Sequence, residues 1–173
     1  MKRLVKNIGI ALLGIVVVGF SLPERVTIPV LGATPNDWNS QSFWFEPWGA
    51  SVVHKGIDIF GKKGETVVST VDGIVLYAGT IERGGNVILV LGPKWRVHYY
   101  AHLETIQAKA LQLVTTGDSI GSLGSSGNAL GKHPHLHYSI VRLYPAFWEM
   151  DSSTHGYKKA IYINPNKYLR EKA

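Results

Sequence analysis

The chain has 173 residues, 45% hydrophobic and 17% charged, with 19 glycines, 8 prolines and no cysteine. At about 150 residues per domain there is room for one domain and a short targeting segment, which excludes a multidomain machine. An aromatic share of 10% beside so few charges excludes a disordered chain, and the missing cysteine excludes disulfides, thiolate nucleophiles and thiolate metal sites.

Lysine and arginine number 18 against 12 acidic residues, a net charge of +6. Lys2, Arg3 and Lys6 hold half of that excess at the very start. No basic run interleaved with aromatics follows, so no nucleic-acid partner is expected. The apolar, uncharged run from Ile8 to Leu22 is 15 residues long. As a helix it covers about 22 Å at ~1.5 Å per residue, short of a ~30 Å hydrocarbon core. Residues 1–22 therefore read as a signal peptide, cleaved or retained as a membrane anchor. Either way the rest of the chain is expected outside the cytoplasm, in the periplasm or cell envelope. Residues 23–41, rich in Pro, Asn and Ser without periodicity, read as a linker.

Short strand signals then follow one another. Glu65–Thr70, Ile74–Ala78, Val87–Leu91, Trp95–His102, Ser119–Leu123 and His135–Leu143 are predicted strands. Only Leu103–Val114 and Pro165–Lys172 read as helices. The expected fold class is all-β: a mainly antiparallel β-sheet sandwich with an active-site groove and minor short helices, preceded by the N-terminal hydrophobic segment.

Five of the seven histidines fall in three tight patterns. His54 and Asp58 are four apart, on one face of a strand but ~13 Å apart if it is straight. Gly56 between them allows a bend or bulge that closes the gap. Alone the pair is a weak signal and reads as a surface His and a turn Asp. His135 and His137 flank Leu136, so both face one side at ~6.6 Å while Leu136 faces the core. An exposed pair on an edge strand is the rival reading. His98, Tyr100 and His102 share a face of their strand; taken singly, His102 is a core or rim residue. The Gly-rich loop Gly124–Gly131 is not a phosphate loop, because no G-x-x-x-x-G-K-[ST] pattern and no helix follow it.

Taken in order, His54-x-x-x-Asp58, Tyr100-Ala101-His102-Leu103 and His135-Leu136-His137 resemble the lysostaphin-type (LytM-like) zinc metallopeptidases. The resemblance extends to Val71-Asp72-Gly73-Ile74-Val75, to Gly127-Asn128-Ala129 and to Asn164-Pro165, and runs from about Ser42 to Leu169. It implies a peptidase domain over residues 42–170 that acts on peptidoglycan peptides with one zinc ion (Zn2+). It also implies His54, Asp58 and His137 as metal ligands, with His135 and His102 as the two catalytic histidines, general base and oxyanion stabiliser. A His₂-carboxylate set leaves a coordination position for water, as catalytic zinc requires. The alternative is a non-hydrolytic regulator or binding module for other wall hydrolases, which would be expected to lack ligands.

Three departures stand out. Ser139 replaces a frequent Glu, Tyr138 replaces the usual Phe, and His133 stands before Pro134 as a rim residue. The stretch Tyr144–Tyr162 is a long insertion, expected to wall the substrate groove. Asn128 and Trp148 are the candidate substrate-binding residues. Trp44, Phe45 and Trp48 line the opposite wall or cap the sandwich. No role is assigned to His98 or His155.

Overall fold

The computed structural model describes residues 2–173. Helix α1 (Lys2–Ser21) takes in the basic residues as well as the apolar run, so it has 20 residues. At ~1.5 Å per residue that is about 30 Å, longer than the apolar run alone suggested. Its stretch Arg3–Ser21 is long and apolar enough to cross a membrane, and none of it is buried.

Nine strands among the described residues form one sheet with antiparallel pairings throughout. They are β1 (Ile57–Phe60), β2 (Thr66–Val68), β3 (Gly73–Ile81), β4 (Gly85–Gly92), β5 (Arg96–Ile106), β6 (Leu113–Val114), β7 (Ser119–Leu123), β8 (His135–Arg142) and β9 (Tyr162–Ile163). The main order is β1-β8-β5-β4-β3-β6. Strand β5 pairs with β4 and β8 through its first half, then with β7 from Leu103 to Ile106, which attaches the β2–β7 ladder as a second leaf. The leaves meet in one core, with Ile57, Ile59, Tyr100, Leu136, Tyr138 and Ile140 from one and Val67, Leu103, Ile120 and Leu123 from the other. Helix α2 (Pro165–Lys172) closes the chain, capped by the Asn164 side chain, which accepts from Lys167 N; proline at the first turn lacks only an N–H that no helix bond would use.

Two expectations are corrected here. Leu103–Val114 is not a helix, although Glu, Gln, Ala and Leu favour one. Its first residues continue β5, where Leu103 and Ile106 find partners in Leu123 and Gly121. Packing of those side chains overrides local propensity. Residues 23–41, read as a linker, are instead laid onto the domain: Val30 bridges Val67, and Val30 and Trp38 are buried in the core.

The first part of that segment is fastened at the end of β5. Glu24, 3% exposed, meets Arg96 (2.6 Å) and Lys172 (2.9 Å), and accepts a hydrogen bond from the Tyr168 hydroxyl at 3.0 Å. Burial alone raises its carboxyl, but Lys172, Arg96 and Tyr168 together hold it below its ordinary value. Beside it, His98 is fully buried, with Nδ1 2.7 Å from the Tyr138 hydroxyl and Nε2 without a partner among the described residues. Tyrosine at 138, where the resemblance calls for Phe, thus supplies the hydrogen bond that a buried histidine needs.

Candidate metal centre and catalytic groove

Strand β1 runs beside β8 with Asp58 opposite His137. His54 precedes β1 and is held by backbone bonds to Trp44 and Phe45 (2.7 and 3.0 Å). Gly56 makes the approach possible: a Cβ there would stand 2.5 Å from Tyr138 O and 2.9 Å from His137 Cε1. The chain bends at Gly56, as expected from the sequence, and the close approach adds a requirement for space. His54 Nε2 lies 3.2 Å from Asp58 Oδ1 and 3.0 Å from His137 Nδ1, and His137 Nδ1 lies 2.9 Å from Asp58 Oδ1.

Three ligand atoms therefore converge. His54 Nδ1 donates to Ser42 O at 3.0 Å, which turns its Nε2 toward Asp58 and His137. Burial would raise the Asp58 carboxyl, but the hydrogen bonds and charges of His137 and His54 hold it far below the carboxylate range. Burial pushes His137 down, against Asp58. One carboxylate and two imidazoles form the donor set, the ligand types that a divalent zinc ion takes. Their separations are close to the ~3.3 Å edge of a tetrahedron with ~2.0–2.1 Å metal–ligand bonds. The residues fit a zinc ion.

His102 and His135 stand beside this trio. Their rings are 5.1 Å apart, and His102 is 6.0 Å from His137. Each gives Nδ1 to a backbone carbonyl: His102 to Ser126 O (2.9 Å), His135 to His133 O (2.8 Å). Nε2 of each is left for chemistry. Burial and the neighbouring His137 and His135 push His102 down to about 4, so it is neutral at pH 7. The sequence placed His98, Tyr100 and His102 on one face; the structure separates them. His98 and Tyr100 enter the core, whereas His102 has φ +65° and turns out to the groove. A left-handed residue shifts the strand's alternation by one, at a cost of order 1–3 kcal/mol that marks a constrained position.

Aromatic residues frame the site. Trp48 stacks on the His54 ring at 3.9 Å and 20°, and Phe60 packs on His133 and His135 at 5.9 and 5.5 Å. His133 is an exposed rim residue, and its carbonyl orients His135. Three carbonyls, of Ser42, Ser126 and His133, set the tautomers here; the sequence carries no signal for them because any residue type supplies a carbonyl. The insertion forms two 3₁₀ turns, Phe147–Glu149 and Gly156–Ala160. It folds back on Trp44, whose indole N–H donates to Thr154 O at 3.0 Å while Lys159 stands 5.3 Å over the ring. Asn128 is exposed on the Gly127–Ala129 turn, two residues after the carbonyl that holds His102. Trp148 is 80% exposed, and among the described residues no hydrogen bond or ring contact joins it to the histidines.

The model of peptidase family M23 matches residues 52–151, from just before His54 into the insertion. Over 105 residues the chain is 37% identical to the murein hydrolase activator NlpD of Escherichia coli, covering 60% of this chain and 27% of that protein. Over 115 residues it is 36% identical to the L-Ala–D-Glu endopeptidase of Bacillus subtilis, covering 61% and 35%. The chain thus spans between a quarter and about a third of these relatives' length. The catalytic domain of lysostaphin from Staphylococcus simulans superposes with a TM-score of 0.61 at 25% identity, over 79% of this chain and 95% of that one.

Proposed function

Because the chain belongs to peptidase family M23, we propose that it is a zinc-dependent endopeptidase hydrolysing peptide bonds in peptidoglycan stem peptides or cross-links. The observation that carries this reading is the convergence of His54, Asp58 and His137 within 3.2 Å of one another, with His102 and His135 alongside. Residues 42–170 form the peptidase domain, exported to the periplasm or cell envelope.

His54 Nε2, Asp58 Oδ1 and His137 Nδ1 hold the metal. When bound, zinc supplies a Lewis acid that polarises the scissile carbonyl and lowers the pKa of a water toward ~7. Ser42 O and the Trp48 ring keep the His54 imidazole in the orientation its ligand role needs. His102 and His135, with Nδ1 committed to carbonyls, present Nε2 as proton acceptors. Between them they take the proton of the attacking water and, once protonated, donate to the developing oxyanion and to the leaving amine. The turn bearing Asn128 and the insertion bearing Trp148 wall the groove and position the peptide.

The second reading, an activator of other wall hydrolases, draws on the identity to NlpD. The complete ligand set favours the enzyme, since an activator has no need of a converging His-Asp-His trio.

The test is a digest of purified peptidoglycan by the full chain in detergent, read by mass spectrometry as isolated, with chelator, and with zinc restored. New peptide ends that vanish with chelator and return with zinc establish the enzyme and identify the bond. Stoichiometric zinc without cleavage, together with stimulation of a second hydrolase, establishes the activator instead.

A further inference from the structure

We propose that the edge of the domain built from the β4–β5 turn and strands β3 and β6 is a lipid-binding surface that seats the domain on the outer face of a phospholipid bilayer. The geometry begins with the helix. Among the described residues α1 makes its contacts only at its C-terminal end: the Trp95 indole N–H donates to Val16 O at 3.0 Å, Lys94 Nζ reaches Phe20 O at 3.4 Å, and the Phe20 and Tyr144 rings meet edge to face at 5.0 Å. Val16 lies five residues before the end of the helix, about 7.5 Å at ~1.5 Å per residue. With the helix inserted, Trp95 reaches the boundary of headgroups and acyl chains, the level at which tryptophan, tyrosine and snorkelling lysine concentrate. Lys2, Arg3 and Lys6 at the other end keep that end in the cytoplasm by the positive-inside rule, so the domain lies outside.

Beside this contact runs a groove of about 490 Å³ whose walls include Gly19 and Leu22 of the helix end together with Ile74, Leu91, Trp95 and Leu113. Ile74 is the cross-strand partner of both Leu91 and Leu113, so the three make one apolar row across β4, β3 and β6. That row lies on the side of the sheet away from the core, since Val75, Val90 and Val114 are the buried neighbours. Leu113 is 78% exposed and Leu111, just before it, 76%. An apolar row ending in such exposed leucines marks a binding surface.

What covers it follows from the tether. Glu24 is locked to Arg96 and Lys172, and α1 ends at Ser21, so only Leu22 and Pro23 separate the helix from the first clamped residue. Two extended residues span about 7 Å. A domain on so short a tether has no room to leave the membrane, and the edge continuous with the helix end is the one that faces lipid.

The experiment uses the absence of cysteine. The full chain carrying Leu113→Cys, and separately Leu111→Cys, is labelled with a nitroxide and reconstituted into phosphatidylethanolamine–phosphatidylglycerol vesicles. Trp148→Cys serves as the control on the insertion. The expected result is a shift of collision accessibility toward oxygen and away from a water-soluble nickel complex at 113 and 111, absent at 148. Nickel accessibility at 113 and 111 equal to that at 148 overturns the proposal. So does spin–spin broadening at 113, which places a second copy of the chain there, and so does release of the chain by alkaline carbonate. No activity is read, so the outcome is independent of the peptidase assignment.

Discussion

Strand β5 runs between two polar clusters, and they differ in how the carboxylate is paired. At one end the Glu24 carboxylate has an arginine, a lysine and a tyrosine hydroxyl around it. At the other, the Asp58 carboxylate has only two imidazoles, one of them already committed to Ser42 O through its other nitrogen. Buried charge is stable when paired and hydrogen-bonded, and the first carboxylate is paired with two cations. The second cluster brings a carboxylate oxygen and two imidazole nitrogens within 3.2 Å of one another, an arrangement that fits a divalent cation.

The comparison breaks most visibly at the second cluster. His54→Ala or Asp58→Ala is expected to remove bound zinc and drop peptidoglycan cleavage to background, a loss beyond the ~10²–10⁴-fold of a missing general base. The fold stays, because the core is apolar and forms without metal. Metal analysis, circular dichroism and the digest check this together, and either variant retaining zinc and full activity would overturn the ligand assignment. His102→Ala and His135→Ala are each expected to lose about 10²–10⁴-fold in kcat with zinc stoichiometry unchanged; joint loss of metal would make them ligands instead.

At the first cluster the effects are on stability. Glu24→Ala strands Arg96 and is expected to cost about 3 kcal/mol in denaturant unfolding, with zinc content preserved. A smaller effect comes from His98, which burial pushes down to about 3. Its folded pKa lies below its unfolded one, so the unfolded state takes up the proton first and stability falls as pH drops through about 6.5. The expected loss is about 2 kcal/mol between pH 7 and pH 5. It is measured in an Asp58→Ala, His102→Gln background so that neither metal release nor the depressed His102 contributes, and His98→Gln should flatten the remaining slope.

The trio was legible in the sequence only through the resemblance carried by three short motifs together, since His137 lies 79 positions from Asp58. His54, Asp58 and His137 lie within 3.2 Å of one another, and strands β3, β4 and β7 and helix α2 fall where periodicity and turn residues put them. What escaped reading was set by long-range pairing. Leu103–Ile106 looks helical until Leu123 and Gly121 are beside it. His102 was assigned to the wrong face because alternation presumes ordinary φ angles, and one left-handed residue cancels it. The Glu24 cluster gave no signal, since its members lie 72 and 148 positions apart in the chain.

The two-residue stretch Leu22–Pro23 also has a consequence for reach. Along β5, Arg96 at the clamp and Ala101 beside His137 are five residues apart, about 17 Å at ~3.3 Å per residue. With the edge seated on lipid and the chain acting as the proposed peptidase, that interval would set an altitude for the groove and confine cleavage to a thin layer of wall parallel to the membrane. Ten glycine and serine residues inserted after Pro23 would add about 17 Å of root-mean-square span, roughly doubling the working height and freeing the groove to rotate. The ratio of near to far cleavage in an intact cell wall would then report the length of a tether.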